Sequence, residues 1–147
     1  MSKEAQYDLL ERQLAALLEG ETDAIAKMAY VAAVLHGEFG FWWTGFYRVA
    51  GEELILGPFQ GPVACMHIPY GKGVCGTAWA RNASVVVPDV EAFPGHIACS
   101  AASRSEIVVP VHGPDGSVTA VLDIDSDKLA TFDETDRVWL EKIVTLL

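Results

Sequence analysis

The run "EIVVPVHGPDGSVTAVLDIDS", residues 106–126, decides the fold class. Two apolar, β-branched segments flank Gly113-Pro114-Asp115-Gly116, a set of residues that favours a tight turn. This predicts a β-hairpin, and hairpins build antiparallel sheets. Upstream, "FWWTGFYRVAGEELILGPFQG" (41–61) has the same form, with two aromatic-rich runs around Ala50-Gly51-Glu52-Glu53. Short strands are expected at "CMHIPYG" (65–71) and "SVVVPDV" (84–90), with a short helix between them over "GVCGTAWARN" that breaks at Asn82. Residues 89–105 form a long connection with a Pro94-Gly95 turn, and connections of that length are often functional.

Helices frame this sheet. Leu9, Leu10, Leu14, Leu17 and Leu18 recur at helical spacing over residues 4–18, with Gly20 as the stop. A second, apolar helix runs through "DAIAKMAYVAAVLHGEF", for which Thr22 is the expected cap. "FDETDRVWLEKIVTLL" opens on a capping box from Asp133 to Asp136 and closes the chain as an amphipathic helix. The expectation is one α+β domain over residues 1–147, with helices from both ends packed on one face of the sheet. The aliphatic first helix can pack on that sheet or support a homodimer.

Composition narrows the function. The chain has 147 residues and a formal net charge of −10, which argues against a nucleic-acid surface. No segment approaches the ~18 consecutive apolar residues of a membrane span, and the charged start lacks a signal-peptide core. A cytoplasmic location is expected. Three cysteines, Cys65, Cys75 and Cys99, do not suggest a secreted disulfide framework.

Cys99 sits in "HIACSAAS", a small-residue loop that favours exposure, with His96 and Arg104 nearby. It reads equally as a reactive thiol or as buried filler. Cys75 begins a helix, where the dipole lowers a thiol pKa, although a small apolar packing role fits it better. Cys65, His67, Cys75, His96 and Cys99 contain no C-x₂-C knuckle, so zinc is a minor alternative. Glu106 opens a strand. Asp123 and Asp125 share one strand face, opposite Leu122 and Ile124. Such a face is normally solvated. Under a pocket, its carboxyls would hold an ammonium group and deliver a proton. Of Trp42, Trp43, Phe46, Tyr47, Phe59 and Tyr70, most are expected to pack the core and one or two to wall a pocket.

The segments "WTGFYRV" (43–49), "LILGPFQGPVACMHIPYGKGVCGTA" (54–78), "DVEAFPGHIACSAASRSEIVVPV" (89–111), "GSVTAVLDIDS" (116–126) and "TFDETDRVWLEKI" (131–143) together resemble the free methionine-(R)-sulfoxide reductase family, built on a GAF domain. The resemblance spans nearly the whole chain and includes the cysteine spacing. It implies a GAF-like fold with a ligand pocket under loops on the sheet face away from the terminal helices. Cys99 then matches the nucleophile, Cys65 the resolving cysteine and Cys75 an auxiliary one. Glu106, Asp123 and Asp125 match acidic pocket residues, with Glu106 or Asp125 as proton donor, and Trp43 and Tyr47 match pocket aromatics. The implied chemistry is attack of Cys99 on the sulfoxide sulfur, a sulfenic acid, condensation with Cys65, and recycling by a thioredoxin-type dithiol, with no metal or organic cofactor. The alternative is a non-catalytic GAF sensor of a small molecule or of oxidation.

Overall fold

A computed structural model of the chain describes residues 1–147 except Ala98 and Ser100. Its elements are α1 (Lys3–Leu18), α2 (Ala24–Phe39), β1 (Trp43–Ala50), β2 (Glu53–Gln60), β3 (His67–Pro69), α3 (Gly73–Arg81), β4 (Val85–Val87), β5 (Ser105–His112), β6 (Val118–Ser126) and α4 (Glu134–Val144), with one 3₁₀ turn at Val90–Ala92. The six strands form one sheet in the order β3-β2-β1-β6-β5-β4. Every neighbouring pair is antiparallel. Both expected hairpins form, and so do the short strands and the helix that stops at Asn82, whose φ of 51° is left-handed. No helix is long and apolar enough to cross a membrane.

The two-residue period of the strands sorts the sheet into two faces. Phe46, Ile107, Val109, Val111, Ala120, Leu122 and Ile124 face one layer, where they pack with Tyr7, Leu10 and Leu14 of α1, Val31 and Leu35 of α2, and Leu140 and Ile143 of α4. Leu10, Leu14 and Leu18 of α1 are therefore covered by their own chain, whereas Leu9 and Leu17 stay exposed. Trp43, Tyr47, Val108 and Val121 belong to the opposite layer, with Val74, Cys75 and Ala78 of α3.

Polar contacts fix the helix ends. Asp133 and Asp136 make the expected capping box at the start of α4. Asp136 is buried and ties α4 to α1, accepting from Tyr7 Oη at 2.6 Å and from Lys3 Nζ at 2.8 Å. At α2 the expected cap is displaced by one residue. Asp23, not Thr22, accepts from the Ala26 N–H, at 2.9 Å. The physical reason is that a carboxylate interacts with the helix dipole more strongly than a hydroxyl does. In β1, a Cβ on Gly45 would lie 2.4 Å from Phe59 Cβ and 2.6 Å from the Trp43 ring. The glycine thus leaves room for the Trp43–Phe59 stack, whose centroids are 5.4 Å apart.

Candidate active site

Strand register alone brings three acids together. In the β5–β6 ladder Glu106 lies opposite Asp125, and Asp123 lies opposite Val108. On the other side of β6, Asp125 pairs with Trp43 and Asp123 with Gly45. Leu122 and Ile124 take the helix face, so both aspartates point to the other side, as alternation requires. That side is not solvated. Glu106 and Asp123 are each only 5% exposed. They form one wall of a cavity that encloses about 560 Å³ including its open mouth.

The cavity is lined by Trp43 and Tyr47 from β1, Cys75 from α3, Cys99, Glu106, Asp123 and Asp125. Cys65 lies outside the lining but is joined to Cys99 by a disulfide, with Cα atoms 5.3 Å apart. The sites named from sequence are thus gathered at one place, and the molecule is seen in its oxidised form. Tyr47 Oη donates to the Cys65 carbonyl at 2.9 Å and so holds the Cys65 segment against the sheet.

The electrostatics are unusual for carboxyls. Burial, followed by the charges of Asp123 and Asp125, holds the Glu106 pKa well above its ordinary value. Burial, then the charge of Asp123, does the same to Asp125, and burial raises Asp123. Ser103 Oγ donates to Asp125 Oδ1 at 3.1 Å. Asp123 Oδ1 is buried with no hydrogen-bond partner among the described residues. No Lys or Arg lines the cavity among those residues. Three carboxyls without a cation form a site that gains by accepting one.

Cys75 corrects one expectation. A helix N-terminus should lower its pKa, yet burial, followed by the charges of Asp123, Glu106 and Asp125, pushes the thiol well above its ordinary value. Desolvation and three acids outweigh the dipole. Cys75 is buried and free. Its sulfur lies within 4.8 Å of carboxylate oxygens of Glu106 and Asp123. These three donors come from three elements and include only one of the five residues weighed for zinc.

Among the lining residues not assigned to the site from sequence, His96 and Trp42 carry polar rings. His96 Nε2 stands 3.7 Å from Glu106 Oε1. Burial lowers the His96 pKa and raises that of Glu106, so both shifts favour the neutral forms. Its place in the Cys99 loop was the available signal. Trp42 precedes β1 and brings its indole to the cavity, with Nε1 buried and unpartnered among the described residues. The adjacent Trp43 instead donates Nε1–H to the Pro62 carbonyl at 3.0 Å. The Cys99 N–H is also engaged, by the Ile97 carbonyl at 3.1 Å.

Comparison with known proteins agrees with this geometry. The GAF domain family matches residues 19–147. The chain is 54% identical over 147 residues to GAF domain-containing protein A of Dictyostelium discoideum, covering 99% of this chain and 92% of that protein. It is 45% identical over 148 residues to the free methionine-R-sulfoxide reductase of Escherichia coli, covering 100% and 89%. Among solved structures, the free methionine-R-sulfoxide reductase from Neisseria meningitidis in complex with its substrate superposes with a TM-score of 0.96 at 51% identity, covering 99% of this chain and 88% of that one. With full-length relatives at this identity and a matching fold, the chain belongs to the GAF-domain family of free methionine-R-sulfoxide reductases.

Proposed function

We propose that this protein reduces free L-methionine-(R)-sulfoxide to methionine, with Cys99 as nucleophile and Cys65 as resolving cysteine. The observation that carries the reading is the Cys65–Cys99 disulfide beside a buried cluster of three carboxyls. In the reduced protein the Cys99 thiolate attacks the sulfoxide sulfur. A carboxyl of the cluster, Glu106 or Asp125, protonates the oxygen; their raised pKa values keep them in the proton-bearing form. Oxygen passes to the cysteine, methionine leaves, and Cys99 becomes a sulfenic acid. The Cys65 thiol then attacks the Cys99 sulfur, water departs, and the disulfide forms. A thioredoxin-type dithiol returns both thiols and is itself oxidised to a disulfide.

The cavity chemistry suits a free amino acid. The ammonium group supplies the cation that the Asp123 side of the pocket lacks, and one carboxyl ionises to meet it. Trp43 and Tyr47, stacked with centroids 5.9 Å apart, wall the space for the methyl and thioether carbons. Cys75 borders the acids as an auxiliary thiol whose burial keeps it protonated. No step requires a metal or an organic cofactor.

The test is turnover of the R and S epimers of free methionine sulfoxide, with dithiothreitol as reductant, for wild type and Cys99→Ser. Reduction of the R epimer alone, abolished in the variant, is the expected result. Turnover of neither epimer by reduced wild type would remove the reductase reading and leave ligand sensing.

A further inference from the structure

Cys75, Glu106 and Asp123 bring one sulfur and two carboxylate oxygens within 4.8 Å of one another. The three residues come from α3, β5 and β6, so the fold assembles a donor set that no sequence motif marks. Exposed carboxylates are satisfied by water, but buried ones are paired or coordinate metals. Cys75, Glu106 and Asp123 are only 3%, 5% and 5% exposed, yet all three line the cavity and are reachable from its mouth. A second observation points to a cation. Asp123 Oδ1 is buried without a hydrogen-bond partner among the described residues. It shares one carboxyl carbon with Oδ2, and strand alternation turns that carboxyl to the cavity side. Oδ1 therefore stands at the cluster whichever oxygen is nearer the thiol. No Lys or Arg lines the cavity among those residues. Cys75 is also the thiol that the Cys65–Cys99 pair leaves free.

We propose that Cys75, Glu106 and Asp123 bind a thiophilic divalent cation such as Zn²⁺, and that the bound ion closes the cavity to substrate. Exclusion of substrate rests on the reading of the cavity as a methionine sulfoxide site; binding of the ion does not. The ion is an inhibitor of that reaction and not its cofactor, because it occupies carboxyls that the reaction needs for charge and proton. Zinc bonds of about 2.3 Å to sulfur and about 2.0–2.2 Å to oxygen set tetrahedral ligands about 3.5 Å apart, a spacing that small side-chain rotations reach from within 4.8 Å. Asp125, opposite Glu106 in the β5–β6 ladder, or water supplies the fourth position. The sulfur sets the choice of ion. A thiolate favours Zn²⁺ or Cd²⁺, whereas Mg²⁺ and Ca²⁺ take oxygen donors. On binding, the protons of Cys75 and of the two carboxyls pass to water, and the dication replaces them.

The test uses oxidised protein, in which Cys65 and Cys99 are joined and Cys75 is the single thiol, so any metal–thiolate signal reports Cys75. Cd²⁺ is titrated while the ultraviolet thiolate-to-metal charge-transfer band is followed, and Zn²⁺ affinity is measured by calorimetry. The expected result is one ion per chain, undisturbed by excess Mg²⁺. Loss of an outer partner weakens a metal site about 10- to 100-fold, so loss of the sulfur ligand in Cys75→Ser should weaken it by more than about 100-fold and abolish the band. Asp123→Asn should keep the band and weaken binding by more than about 10-fold, and it carries the test if Cys75→Ser does not fold. Absence of the band in wild type, or Zn²⁺ affinity unchanged in the variants and therefore an adventitious ion only, would overturn the proposal. Exclusion is read in protein carrying both Cys65→Ser and Cys99→Ser, where Cys75 is again the single thiol and nothing turns over. Saturating Zn²⁺ should weaken binding of free methionine-(R)-sulfoxide by more than about 10-fold, and equal binding would overturn the exclusion. Methionine sulfoxide that does not bind even without metal would count against the reductase reading and leave the ion site standing.

Discussion

Tyr47→Phe isolates how the Cys65 segment is held. The hydroxyl donates to the Cys65 carbonyl at 2.9 Å, and this bond fixes the segment where Cys65 reaches Cys99. The ring is 2% exposed and forms part of the cavity wall, so replacement by phenylalanine keeps the packing. Cys65 is half-buried, and water can satisfy its freed carbonyl, so the loss is the net worth of one neutral hydrogen bond, about 1 kcal/mol. In the reduced protein the segment no longer has to meet Cys99, so the bond favours the oxidised form. A loss of about 1 kcal/mol then makes the disulfide about fivefold easier to reduce. For a two-electron couple this is a rise of roughly 20 mV in reduction potential. The assay is equilibration of the Cys65–Cys99 pair in defined dithiothreitol redox buffers, followed by quantification of the disulfide by mass. KM for methionine sulfoxide should remain within about twofold, because the ring stays. An unchanged potential would mean that the bond is equally strong in both forms, and would refute the reasoning.

Two further outcomes follow from other contacts. The native state holds protons on Glu106 that the unfolded chain releases above its ordinary pKa of 4.5, so this group's contribution to stability is complete below that value and is lost as pH rises through the raised folded pKa. Glu106→Gln removes that loss. Its melting temperature should gain on wild type as pH rises above about 4.5, while turnover falls by about 10²- to 10⁴-fold, and a difference independent of pH would contradict this. Tyr7→Phe takes a donor from Asp136, which is 1% exposed, and should cost about 1–3 kcal/mol in urea unfolding with turnover unchanged, since the clasp lies across the sheet from the cavity; a loss of activity in folded protein would count against that separation.

The sequence carried the fold well because its signals are local. Gly113-Pro114-Asp115-Gly116 marks the β5–β6 turn, and the Asp133–Asp136 box marks the start of α4. The two-residue period correctly placed Asp123 and Asp125 opposite Leu122 and Ile124. It left open whether their face met water or a pocket, because that depends on α3 and the Cys99 loop packing over it. Cys75 shows the same limit. Its position at a helix start was legible, but the three acids that override the dipole come from β5 and β6 and converge only in the folded sheet. Trp42 was visible as an aromatic beside Trp43, with no local mark of which indole N–H would find a carbonyl and which would have no partner among the described residues. The Cys65–Cys99 pairing and the roles of the site residues were carried by family resemblance and not by spacing.

The most direct test of the account is a single turnover without recycling reductant. Pre-reduced protein is mixed with excess free methionine-(R)-sulfoxide, and methionine, thiols and peptide masses are counted. The account predicts one methionine per chain, loss of two thiols, a Cys65–Cys99 disulfide and an unmodified Cys75. With Cys65→Ser it predicts one methionine and a sulfenic acid on Cys99. Methionine formed without oxidation of Cys99, or a disulfide that leaves Cys99 out, would contradict it.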